Sequence, residues 1–206
     1  MKPTQSLPAH YQSIGTFDLR NNSQALLRIN ILGFVLFALS AWIFGSALYV
    51  LRPDEAQAGL AIGFSQIGGV LHVLLAVVLV TVVMIVLHEA VHGFFFWLFT
   101  RSLPKFAFKG IYAYAAAPQW YLPKIQYLVV GLAPLVLLSL GGVALMLVVP
   151  QSYFIILLLF LVTNASGAIG DLWVVVWLVR QPGACYANDQ GDAVELFVES
   201  RAGGDA

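Results

Sequence analysis

His88, Glu89 and His92 stand within five consecutive residues, His-Glu-Ala-Val-His. Two histidines at i and i+4 share one face of a helix, with β-carbons about 6 Å apart, so both imidazoles reach one ion. Glu89 projects from the adjacent face, where it takes a proton from water without becoming a ligand itself. Such a set performs metal-assisted hydrolysis. Zinc lowers the pKa of a bound water to about 7 and so supplies a nucleophile for a carbonyl.

A catalytic zinc site has three protein ligands and an open position. Four long apolar runs hold, away from their ends, only two carboxylates, Glu89 and Asp171. Asp171 precedes Arg180 by nine residues, and His92 precedes Arg101 by nine. Both runs cross in the same direction, so the two side chains lie about 13 Å below their flanking arginines at 1.5 Å per residue. Asp171 is the expected third ligand. A tail that folds back and supplies Asp189, Asp192 or Glu195 is the alternative. Asn164 opens a run of small residues, Asn164-Ala-Ser-Gly-Ala-Ile-Gly170, that permits close helix approach, span four against span two. It either points into the site and holds a substrate carbonyl or oxyanion, or makes an interhelical hydrogen bond. His72 is about four turns from His88, too far to share its metal, and His10 lies in a polar, solvated segment. Cys185 is the single cysteine and reads as a bystander thiol.

The elements that position these residues follow from composition. The 206 residues are 60% hydrophobic and only 10% charged, with no net charge and a mean hydropathy of +0.87. A soluble domain carries roughly a quarter charged residues, so the shortfall points to a membrane protein. The absence of net positive charge argues against a nucleic-acid partner. Spans are placed at about 30–51, 69–99, 126–149 and 153–179, against the roughly 20 apolar residues that a bilayer requires. Pro150, Gln151 and Ser152 make a tight turn between the last two.

Nine of the ten basic residues fall on one side of these spans, and only Arg52 on the other. Both termini are therefore expected in the cytoplasm. The expected fold is an all-α integral membrane bundle of four helices with a small cytoplasmic β-hairpin. The hairpin is placed at 106–117, around Lys109–Gly110. The domain plan is a cytoplasmic segment 1–29, a membrane domain 30–180 and a cytoplasmic tail 181–206. Within it, 53–67 forms a short external connection, partly re-entrant at Gly59, Gly63 and Gly68. The tail holds a strand near Ala193–Val198 and a disordered glycine-rich end. The implied location is the bacterial cytoplasmic membrane, multi-pass, with the lipid bilayer and a membrane protein or peptide substrate as partners.

Three ionisable residues in one turn of a membrane helix are costly unless they face a partner or a cavity, which favours a metal site over a satisfied helix core. Zn2+ is the expected cofactor. The expected reaction is hydrolysis of a peptide bond of a membrane-associated protein by a zinc-activated water, with Glu89 as general base. The alternative is a non-catalytic zinc-binding scaffold or regulator. Structural zinc sites usually close with four protein ligands, whereas three good ones are present, and an intact Glu89 favours chemistry. A metal transporter requires polar paths on both sides of the site, and the outer span halves offer little beyond His72, Thr81 and Ser139. His88 and His92 on one turn cannot ligate opposite faces of a haem.

The chain resembles a family of small bacterial membrane proteins described as zincin-type peptidases. The likeness includes Leu7-Pro-Ala-His-Tyr11, Phe17-Asp-Leu19, the motif at 88–92, Tyr112-Ala-Tyr114, Pro118, Leu132-Ala-Pro134, Asn164 to Asp171, and Asp189-Gln-Gly-Asp192. More distantly it is similar to the site-2 protease group of intramembrane metallopeptidases. That resemblance implies zinc on His88, His92 and Asp171, with Glu89 as the base. The chain departs from that group around the aspartate, where glycine precedes rather than follows Asp171 and no proline run follows Asn164.

Overall fold

The computed structural model describes residues 1–18, 23–56, 70–110 and 113–200. Most of the connection expected at 53–67, and the glycine-rich end, lie outside them. The elements in chain order are β1 (Tyr11–Asp18), α1 (Ser23–Leu51), α2 (Val70–Thr100), β2 (Lys105–Phe108), β3 (Ala113–Ala116), β4 (Tyr121–Pro123), α3 (Lys124–Met146), α4 (Phe154–Gly167), α5 (Ile169–Val179), β5 (Cys185–Asp189) and β6 (Ala193–Glu199).

Four stretches are long and apolar enough to cross a membrane: Leu26–Leu51, Leu71–Thr100, Lys124–Met146 and Gln151–Val179. Their apolar side chains cover all sides of each helix, and many, such as Phe34, Trp42, Leu79 and Leu140, are exposed. In water that pattern would be a liability; against acyl chains it is the required surface. The bounds agree closely with those expected from hydropathy.

The last span is not the single helix expected. It is broken at Ala168, whose N–H closes α4 on Asn164 O at 3.1 Å, before α5 begins at Ile169. The break puts Asp171 in the first turn of α5, where the helix dipole favours a carboxylate.

The chain divides into two compact units, one of 1–29, 89–133 and 170–206, the other of 30–88 and 134–169. In the second unit, Leu48, Met146, Phe154 and Leu161 form the buried core. Gly142 makes room for Leu161: a β-carbon there would come within 2.3 Å of Leu161 Cδ2. Gly167 likewise lies 3.7 Å from Met84 of α2 by the same measure, as the small-residue run requires. Arg52 Nη1 donates to Met146 O at 3.2 Å and Val149 O at 2.6 Å, while the guanidinium pairs with Glu55. It thereby caps the carbonyl end of α3.

The first unit holds more β-structure than an all-α fold with one hairpin allows, and corrects that expectation. An antiparallel sheet runs in the order β1-β6-β5-β4, with Tyr11 opposite Glu199, Cys185 opposite Val198 and Tyr121 opposite Asn188. The expected hairpin is present as a separate pair, β2 and β3, with Phe106 opposite Ala115. The N-terminal segment and the tail thus supply strands to one sheet. Each is too short in sequence to announce a partner so far away. Phe96, Leu122, Leu178, Cys185, Ala187 and Leu196 bury the sheet against the ends of the helices in this unit. Lys124 Nζ donates to Val179 O at 3.1 Å and Gln181 O at 2.6 Å, capping α5.

Candidate metal centre

His88 and His92 follow one another by a turn of α2, and both are buried. His92 Nε2 stands 3.4 Å from Asp171 Oδ1. With His88, one turn earlier on the same helix, they form a group whose ligand atoms all lie within 4.8 Å of one another. A tetrahedral zinc with bonds of about 2.0–2.1 Å has ligand atoms about 3.3 Å apart. The His92–Asp171 separation matches that edge, and the donor set of two imidazoles and one carboxylate suits zinc.

Ring orientation fits as well. His92 Nδ1 lies 2.9 Å from Val130 O, and His88 Nδ1 lies 3.1 Å from Asn164 Oδ1. Both partners are acceptors, so each Nδ1 donates its proton there and Nε2 is the ring nitrogen left to meet a metal. Metal-binding histidines characteristically give their second ring nitrogen to such acceptors, which fixes tautomer and rotation. Asn164 is fully buried, and its Nδ2 lies 3.5 Å from Pro134 O. Its amide is thus engaged at both ends by helix partners.

A cavity of about 190 Å³ opens beside this group, lined by Glu89, His92, Asp171, Tyr127 and Asp189 among others. Strand β3 contributes Ala113, Tyr114 and Ala115, and the β5–β6 turn contributes Gly191 and Asp192. The tail therefore does fold back to the site, though Asp189 and Asp192 lie outside the three-ligand group. Asp189 Oδ2 accepts from Tyr127 O–H at 2.6 Å, and its Oδ1 accepts from Gly191 N–H at 2.7 Å. Burial pushes the Asp189 carboxyl up to about 6, against the lowering pull of those two donors. Gly191 has φ +90°, and a β-carbon there would fall 2.2 Å from the Tyr114 ring. Only glycine permits the ring to lie flat against this turn. Lys109 Nζ and Asp192 Oδ2, at 4.0 Å, make a second tie between hairpin and turn.

Sequence reasoning did not single out Tyr127 or Val130. A buried tyrosine in an apolar helix resembles an interface anchor, and a backbone carbonyl has no residue signature. Cys185 is buried in the sheet core, where burial raises its thiol pKa. His10 pairs with Glu199 at 3.4 Å on the surface.

His88, His92 and Asp171 thus form a group that could hold a metal ion. Residues 81–186 match the family described as "Putative zincin peptidase", and the chain belongs to that family. The matched stretch contains His88, Glu89, His92, Asn164 and Asp171. No match was found among curated proteins or among solved structures.

Proposed function

We propose that the protein is an intramembrane zinc metallopeptidase that hydrolyses a peptide bond of a membrane-associated protein near the cytoplasmic face of the bacterial membrane. The observation that carries this reading is the His88–His92–Asp171 group, beside a cavity lined by Glu89. Zinc, when bound there, supplies a Lewis acid for water and for the scissile carbonyl. Glu89 receives the proton of the attacking water and returns it to the leaving amine. Asp171 and the two Nε2 atoms hold the metal, and Asn164 acts as a positioning residue through His88.

An even number of crossings places both ends on one side, and the pairing of β1 with β6 supports that arrangement. The excess of basic residues assigns that side to the cytoplasm. Strand β3 pairs with β2 along one edge, and three of its residues line the cavity. A substrate unwound to an extended strand beside β3 would present its backbone to the site.

The deciding experiment is the metal content of detergent-purified protein, with turnover of a quenched fluorescent peptide set in the same micelles. Wild type should carry about one zinc per chain. Asp171→Ala should lose it, whereas Glu89→Gln should keep the metal and lose 10²- to 10⁴-fold or more of the activity. A wild-type protein that takes up no zinc when supplied with it would sink the proposal. Metal uptake without cleavage by either wild type or variants would leave a zinc-binding scaffold.

A further inference from the structure

Pro134 sits in the interior of α3 and is fully buried. In a regular helix the amide at 134 would donate to the carbonyl at 130. Proline has no N–H, so that carbonyl is released from the helix ladder. Val130 O is the atom that His92 Nδ1 meets at 2.9 Å. The carbonyl of Pro134 itself faces Asn164 Nδ2 at 3.5 Å. That contact turns the Asn164 oxygen towards His88 Nδ1, 3.1 Å away. One proline therefore stands behind both histidines, by the hydrogen bond it cannot make and by the carbonyl it presents.

Building on the metal reading above, we infer that Pro134 is a positioning residue of the zinc centre, setting the rotation and tautomer of His92 through Val130 O and of His88 through Asn164. The geometry is specific to this place in the helix. A proline one residue earlier or later would release the carbonyl of 129 or 131, about 100° away around the axis. An ordinary packing kink needs neither hydrogen bond. An N–H restored at 134 competes for the Val130 oxygen and straightens the turn, so the imidazole loses its fixed orientation while the helix gains a bond. Metal affinity and apo-protein stability should then move apart, which separates positioning from a structural role.

The test is zinc affinity by chelator competition in Pro134→Ala, alongside thermal unfolding of the metal-free protein and the visible spectrum of the cobalt-substituted form. Loss of a partner that orients a metal ligand typically costs 10- to 100-fold in affinity. We expect at least a tenfold loss and an altered cobalt spectrum, with metal-free stability equal to wild type or higher. Installing lactate at 134, an ester with the alanine side chain and no N–H, should restore affinity. Unchanged affinity and spectrum in folded Pro134→Ala would overturn the inference. Should that variant fail to fold, ring-nitrogen NMR of zinc-loaded wild type decides. Protonated, hydrogen-bonded Nδ1 on both histidines supports the inference, and metal on Nδ1 of either overturns it. A wild type that binds no zinc would overturn the metal reading itself.

Discussion

A buried carboxylate beside a candidate metal site has two obligations, to its own solvation and to its neighbours. Asp189 meets the first with the Tyr127 hydroxyl and the Gly191 amide, yet burial still pushes its carboxyl up to about 6. A carboxyl whose pKa rises on folding binds its proton more tightly in the native state. The native state is thus favoured at low pH, and the advantage is lost as pH climbs from about 4, the unfolded value, through about 6. Unfolding of the metal-free protein in detergent should show wild type losing about 1–3 kcal/mol across that window. Asp189→Asn should lie flat over the same range. Parallel profiles for the two proteins would show that Asp189 titrates normally. At the β5–β6 turn, Gly191→Ala meets both a positive φ and the Tyr114 ring. It should cost about 2–4 kcal/mol, as strain at a left-handed position compounded by overpacking, and it should loosen the β2–β3 hairpin, which limited proteolysis reads directly.

Among the elements, the helices show most clearly what a sequence can disclose. The four long apolar helices were legible because runs of 20 or more mostly apolar residues stand out in composition alone. The break at Ala168 was not, because Ser166, Gly167 and Gly170 around it read equally well as small residues that let helices approach closely. The sheet was legible only in fragments. The hairpin at β2–β3 is local and carries its Lys-Gly turn, and the strand expected near Ala193–Val198 is present as β6 beside its neighbour β5, whereas β1 and β4 pair with strands far along the chain. Arg52 is a related case. It is the exception to the charge asymmetry, and the fold explains it: Glu55 and the carbonyl end of α3 absorb its charge. Arg52→Ala should therefore destabilise the protein by about 1–3 kcal/mol, seen in thermal unfolding, because it strands carbonyls that the charged group had satisfied. Arg52→Lys should recover only part of this, since a single ammonium lacks the planar fork that bonds Glu55 and the carbonyls together.

At the scale of the whole molecule, the candidate metal site was readable to the extent that chemistry is carried by side chains. His88, Glu89 and His92 fall within five residues, and Asp171 emerged from a match in position between two long apolar runs. Asn164 was visible as a polar residue in an apolar run, with two roles open to it; its contacts with His88 and Pro134 favour positioning. The Val130 carbonyl was invisible, because every residue has one. Tyr127 and the fold-back of Asp189 required the sheet, which in turn required pairing between the two ends of the chain. That pairing also makes a prediction about topology. Cysteine or protease tags placed before β1 and after β6 should both be protected in right-side-out vesicles and both accessible in inverted ones, and opposite accessibility of the two ends would refute the arrangement.

The strand order carries one more consequence. β6 lies between β1 and β5, and β1, which precedes all four apolar helices in the sequence, hydrogen-bonds to it. Until the four long apolar stretches and β6 have been made, β1 lacks the strand it pairs with. The turn that brings Asp189 and Gly191 to the cavity has no closing strand either. The helices, with His88 and His92 on one of them, can thus form while part of the cavity wall is still missing. The lining that Asp189, Gly191, Asp192 and Val194 give the cavity is therefore completed only after the helices that carry His88, His92 and Asp171 have been made.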